Sequence, residues 1–248
     1  MNAEREFAEQ NRRKIEALGS DPEMTRLSRE WFRRASRHNY SYHFSWMGRP
    51  IIQFPQDIIA IQEIIWNVKP DVVIETGVAH GGSLIFLSSM LELLGPGRRV
   101  IGIDIDIREH NRRAITEHPM SKNITLIEGN SCSAEVQDQV RTLVNKDQKS
   151  VVILDSNHTR DHVLCELRAY EKYVAKGSYL IVLDTIIDYM DEEFSANKPW
   201  GPGSGPAPAV EEFLKENTRF APVFEIDNKL QISVGPGGYL QCIEDLRS

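Results

Sequence analysis

Long apolar runs are missing from this chain. None approaches the ~18 residues that a membrane-crossing helix needs, so no span is expected. Cysteine is scarce: Cys132, Cys165 and Cys242 lie far apart and match no C-x-x-C spacing, which argues against a disulfide framework, a zinc ribbon or a dithiol redox motif. Positive charge is in deficit, with 29 Lys and Arg against 36 Asp and Glu and a net charge of −7; a general nucleic-acid or anionic-membrane binder would show the reverse balance. The sequence begins Met-Asn-Ala-Glu-Arg-Glu, without the apolar stretch of a secretory signal, so a reducing cytoplasm is the expected compartment. There is no internal repeat and no low-complexity tract. The 248 residues suit one sizeable α/β domain.

What is present is sharply patterned. Val72-Val73-Ile74-Glu75-Thr76-Gly77-Val78-Ala79-His80-Gly81-Gly82-Ser83 is an apolar run that ends in an acid, turns through glycines and enters an amphipathic segment. About two dozen residues later, Val100-Ile101-Gly102-Ile103-Asp104 is a second apolar run ending in an acid. This is the pattern of a nucleoside-binding crossover, in which glycines let backbone approach the ligand and the second acid takes the ribose hydroxyls. A dinucleotide fingerprint would aim bare amides at a pyrophosphate. Here Gly77 and Gly81 are four apart and Glu75 sits at the strand end, where a carboxylate repels a diphosphate and suits an ammonium. S-adenosylmethionine carries an ammonium, a carboxylate and a ribose but no phosphate. The expected donor site is therefore Glu75, Gly77 and Ser83 for the methionine portion, with His80 and Gly81 in the turn itself, and Asp104 for the ribose.

Along the chain, helices are expected at 2–18, 22–38, 55–68, 82–94, 108–117, 134–145, 160–174 and 207–216, and strands at 72–76, 99–104, 124–128, 150–155 and 178–184. The last two strands are continuous apolar runs, as buried parallel strands require. Residues 221–227 and 230–243 read as an antiparallel hairpin turning at Asp227-Asn228. Residues 1–50 form a helical extension and 51–248 the main domain. Within the extension, Arg26, Arg29, Arg33 and Arg37 make a basic stripe, which is either a solvated face or a contact for an anion or a subunit. The aromatic segment Tyr40–Pro50 covers a pocket or an interface. The loop over 186–208, glycine- and proline-rich around Trp200, has the length of a lid, a binding loop or a disordered segment.

Right-handed crossovers bring Glu75, Asp104, Asp155 and Asp184 to one sheet edge, where open α/β sheets bind ligands. Asp155 with His158 can supply a metal ligand and a general base for an acceptor hydroxyl that must lose its proton near attack. Asp155 and Asp184 can share a hard cation. A rival reading takes His158 and His162, four apart, with Asp155 or Asp161 as the facial triad of a non-haem iron oxygenase.

These blocks, together with YSYHFSWMGRPIIQFPQDIIAIQEIIWNVKPD, LDSNHTRDHVLCEL, KPWGPG and ISVGPGGYL, resemble the cephalosporin hydroxylase and rhamnosyl O-methyltransferase family over about Tyr40 to Ile243. The resemblance implies a Rossmann-like class I methyltransferase fold with a mostly parallel sheet, binding S-adenosylmethionine and often magnesium. It also implies a small-molecule or sugar hydroxyl as acceptor, in antibiotic, glycolipid or polysaccharide tailoring, and a homo-oligomer. A more distant likeness to catechol O-methyltransferases places the metal ligands at Asp155, Asp184 and Thr185, the catalytic lysine's position at His158, and Ser131 near the adenine. One departure stands out. The family typically has Glu-Asp at the end of the fifth strand, whereas this chain has Leu183-Asp184, which removes a ligand and a charge from any magnesium site. A non-catalytic partner of a tailoring enzyme is the other class this loss allows.

Overall fold

A computed structural model describes residues 3–245; Met1 and Asn2 of the expected extension and the last three residues of the main domain lie outside it. Two charged helices come first, α1 (Ala3–Gly19) and α2 (Pro22–Ser36), the second capped by the Asp21 carboxylate on the amides of Glu23 and Met24. The arginine stripe is used within the chain. Arg26 pairs with Glu23, Arg33 with Glu30 and Arg37 with Glu193, while Arg29 lies over the Tyr189 ring.

A 3₁₀ turn at Tyr40–His43 leads into strands β1 (Phe44–Trp46) and β2 (Arg49–Ile51), an antiparallel hairpin that the sequence reading did not anticipate. Its turn is Met47-Gly48, both at positive φ, the geometry that matches strand twist in two-residue hairpins. Then follow α3 (Pro55–Val68), β3 (Val72–Thr76), α4 (Gly82–Leu94), β4 (Arg99–Asp104), α5 (Glu109–Thr116), β5 (Ile124–Glu128), α6 (Ala134–Leu143), β6 (Ser150–Leu154), α7 (Arg160–Tyr170) and β7 (Tyr179–Val182). The chain closes through α8 (Glu192–Ser195), α9 (Pro206–Glu216), β8 (Phe220–Pro222), α10 (Phe224–Leu230) and β9 (Tyr239–Cys242).

The main sheet has the order β5-β4-β3-β6-β7-β9-β8, parallel from β5 to β7 and antiparallel at β9 and β8. Both faces are covered, which is why the strands are apolar without alternation. Val73, Val151, Ile153 and Ile181 pack on one side with α3 and α4. Val72, Ile74, Val152, Leu154, Leu180 and Val182 pack on the other with α6, α7 and α9. Phe32 is buried in the first core, with Tyr40, Phe44 and Trp46 packed against it, so the extension shares the domain's apolar interior.

The expected C-terminal hairpin needs correction. β8 and β9 do pair antiparallel, but Asp227-Asn228 lies inside α10, not at a turn. Ile226 and Leu230, four apart, both face the core, and Lys229 pairs with Glu63 of α3; this one-sided packing makes a helix where a turn was expected. β7 also stops early. Leu183 and Asp184 are off the strand, and Asp184 adopts φ 57°.

Candidate active site

The strand order reverses between β4 and β6, on either side of β3, and such a switch point opens a crevice beyond the strands' carboxyl ends. Two loops meet there. Gly77, at φ 95°, runs so close to the next strand that a Cβ would stand 1.9 Å from the Asp155 carbonyl oxygen. The Asp155 amide in turn donates to the Thr76 carbonyl.

Three connected cavities fill the crevice. The first, of about 410 Å³, is lined by Asp104, Ile105, Ser131, Ser156, His158, His162 and Trp200. The second, of about 510 Å³, includes Phe32, Tyr40, Tyr42, Phe54, Lys198, Asp155, His158, Asp184 and Trp200. The third is small, lined by Gln53, Gly77, His80, Gly81, Ser83 and Asp155. Asp104, Ser156, His158 and Trp200 line both large cavities, and Asp155 joins the second to the third.

At the junction, Asp155, His158 and Asp184 bring ligand-capable atoms within 4.8 Å of one another, and His158 Nε2 lies 3.5 Å from Asp184 Oδ2. The His158 ring also meets Trp200 edge-on at 5.7 Å. Burial pushes the Asp155 carboxyl well up, reinforced by the charges of Asp184 and Glu75. Crowded carboxylates of this kind favour a cation in their midst. The paired carboxylates of Asp155 and Asp184 fit a divalent ion, with His158 beside them; Leu183, buried in the apolar core, adds nothing to the set. Thr185 is not brought into the group: its hydroxyl donates to the Pro236 carbonyl at 2.7 Å.

The donor-site residues divide in the same way. Asp104 reaches both large cavities, and its Oδ2 accepts from the amides of Val78 and Ala79 at 2.8 and 3.2 Å, tying the glycine turn to the second strand. Glu75 is fully buried and lines none of the cavities; Ser83 Oγ, which does line the third, donates to Glu75 Oε2 at 2.8 Å. Burial raises the Glu75 pKa to about 8, and its Oε1 has no hydrogen-bond partner. His80 stands at the rim and its carbonyl accepts from Arg49. Gln53, missed by sequence reasoning, is buried in the wall of the third cavity with neither amide atom hydrogen-bonded. An amide oxygen and nitrogen left free beside Ser83 suit a ligand carrying both ammonium and carboxylate, so the residues present fit the methionine end of the donor.

The facial-triad reading fails on geometry. α7 begins at Arg160, so His158 precedes the helix and does not share a face with His162. His162 lies instead against Ser131, Ser156 and Glu166, and the Asp161 side chain is 91% exposed.

The model of the family described as rhamnosyl O-methyltransferase/CmcI matches residues 38–243. The chain belongs to this family. Rhamnosyl O-methyltransferase of Mycobacterium tuberculosis (strain H37Rv) is 28% identical over 200 residues, covering 79% of this chain and 77% of its own. That of Mycobacterium leprae is 29% identical over 175 residues, covering 69% and 71%. In fold the chain is similar to a CmcI structure with Mg and SAM, at TM-score 0.56, 19% identity and coverage of 82% and 78%. It is also similar to an O-methyltransferase from Bacillus cereus in complex with SAH, at TM-score 0.53, 12% identity and coverage of 90% and 92%. The fold is thus the class I methyltransferase α/β fold that the family resemblance implied. The family match spans every cavity residue named above except Phe32, which α2 contributes.

Proposed function

We propose that this family member transfers a methyl group from S-adenosylmethionine to a hydroxyl oxygen of a small molecule or sugar in natural-product or polysaccharide tailoring. The observation that carries the reading is the meeting of three cavities at Asp155 and His158. The nucleoside occupies the first cavity with its ribose toward Asp104, and the methionine portion the third, between Gln53, Ser83 and the glycine turn. The acceptor enters the second, whose aromatic walls come from residues 32–54 and from Trp200. Residues 51–248 are then the catalytic domain and 1–50 the extension that shapes the acceptor wall.

The acceptor hydroxyl gives its proton to the His158 imidazole, its oxygen forms a bond to the methyl carbon, and the carbon–sulfur bond breaks to leave neutral S-adenosylhomocysteine. Asp184, 3.5 Å from Nε2, stabilises the resulting imidazolium. Asp155 and Asp184 would hold magnesium, which when bound supplies charge to lower the acceptor's pKa. Alignment of donor and acceptor provides most of the acceleration, as in other displacements of this kind.

Calorimetric titration of S-adenosylmethionine and S-adenosylhomocysteine, in EDTA and then in magnesium, tests the donor site first. Binding in both conditions is expected, because Asp104, Gln53 and Ser83 are not among the residues that would hold the metal. No binding in either overturns the reading. A panel of hydroxylated acceptors, run with and without magnesium, follows; donor binding with no turnover across a broad panel would instead favour a non-catalytic partner.

A further inference from the structure

His162 and Glu166 take no part in the chemistry above, yet they organise one wall of the first cavity. Glu166 is fully buried on α7. Its Oε1 accepts two hydroxyls at once, from Ser131 Oγ at 2.5 Å and from Ser156 Oγ at 2.7 Å. The two serines arrive from different strand ends, Ser131 after β5 and Ser156 after β6, and both line the cavity. His162 Nε2 lies 3.1 Å from Ser131 Oγ, 3.2 Å from Ser156 Oγ and 3.3 Å from Glu166 Oε1. The backbone at Ser131 is itself fixed, since Tyr170 Oη and Gln137 Nε2 both donate to its carbonyl, at 2.9 and 2.8 Å.

Resting on the donor-site reading, we infer that Glu166, acting through Ser131 and Ser156, makes this wall a hydrogen-bond acceptor surface that selects a 6-aminopurine nucleoside over a 6-oxopurine one. A serine hydroxyl has one hydrogen and two lone pairs. With both hydrogens committed to the same carboxylate oxygen, only lone pairs remain to face the cavity. With those hydrogens on Glu166, the contacts of His162 Nε2 to both serines are met by a ring N–H donated to their oxygens. An exocyclic amine donates to such a surface. A carbonyl at the same purine position meets lone pairs with lone pairs, and a site left with mismatched polar groups rejects the analogue. Glu166 is therefore a positioning residue for donor specificity; it has no exposed surface with which to touch the ligand.

The test compares S-adenosylhomocysteine with S-inosylhomocysteine, the same molecule with the 6-amino group replaced by oxygen, by calorimetry on the intact protein. The wild type is expected to prefer the amino compound by about tenfold or more, an acceptor–acceptor mismatch of about 1–3 kcal/mol. In Glu166→Gln the side-chain amide donates to one serine and turns its hydrogen toward the cavity, so the preference should fall to within about threefold. A merely structural role would weaken both ligands alike and leave their ratio unchanged, which would overturn the inference. Equal affinity for the two compounds in the wild type would overturn it as well. Failure to bind either would bring down the donor site itself, a distinguishable result. Should Glu166→Gln not fold, Ser156→Ala and Ser131→Ala carry the same comparison: a reduced ratio supports the inference and an unchanged ratio sinks it.

Discussion

His158 sits where the two large cavities meet, and what it does there separates a methyltransferase from a binding shell. It stands before α7, against Asp184 on one side and the Trp200 ring on the other. Removing the imidazole deletes the proton acceptor and leaves Asp104, Ser83 and Gln53 untouched. His158→Ala should therefore lower kcat by about 10²–10⁴ while the Kd for S-adenosylhomocysteine stays within about threefold. Retained turnover would reassign the base. Asp104, Asp155 and His158 were legible in the sequence because acids at the ends of apolar runs must reach one sheet edge. Gln53 and Glu166 were not, because their importance comes from partners distant in sequence, and no local pattern marks an amide or a helix carboxylate for burial. The Thr185 hydroxyl bonds to Pro236, following Asp184, which turns through the left-handed region.

Among the elements, the lid loop and the C-terminal strands show the same limit. The length of the 186–208 segment pointed to a lid or a binding loop, but not to what fastens it. Asp188 does so, its Oδ1 accepting from the amides of Gly203 and Gly205 at 2.9 and 3.1 Å and its Oδ2 from Ala207 at 2.9 Å. These bonds hold the loop carrying Trp200 against both large cavities and start α9. Asp188→Ala leaves three amides without their acceptor. Each such loss costs about 1 kcal/mol. The acceptor KM should rise by about tenfold with little change in kcat, and limited proteolysis within 191–204 should accelerate; cleavage at the wild-type rate would mean that the carboxylate does not fasten the loop. The parallel strands and their helices were readable because burial on both faces leaves a period-free apolar run that turns punctuate. α10 was not, since its seven residues are too few to show a period and Asp227-Asn228 reads as a turn, and only the presence of α1 and α3 beside it decides for helix.

For the molecule as a whole, carboxyls held out of water, Asp155 in the crevice and three others, make stability depend on pH in an unusual direction. Burial raises Glu75 to about 8, Asp227 to about 7 and Asp57 to about 6, the last despite accepting from Ser233 Oγ, Tyr239 Oη and the Val234 amide. In each case the folded state holds its proton to a higher pH than the unfolded chain does. Between about pH 4 and 8 the native state therefore binds more protons, and stability falls as pH rises. Glu9 and Glu30, lowered to about 2 by Arg12 and Arg13 and by Arg33 and Arg34 respectively, act with the opposite sign but below about pH 4.5, outside this window. Of these three Glu75 is raised to the highest value, and Glu75→Gln removes its ionisation while keeping an acceptor for Ser83. Thermal unfolding across pH 5–9 should show the wild-type Tm declining and the variant declining less, the gap reaching a few kcal/mol at pH 9. At about 2–4 °C per kcal/mol for a chain of this size, that gap is readily measured. Parallel curves would mean that Glu75 is already ionised at neutral pH. The same carboxyl ties stability to the donor, because an ammonium near Ser83 favours the charged form. Affinity for S-adenosylhomocysteine should accordingly rise with pH up to about 8 in the wild type and lose that slope in Glu75→Gln.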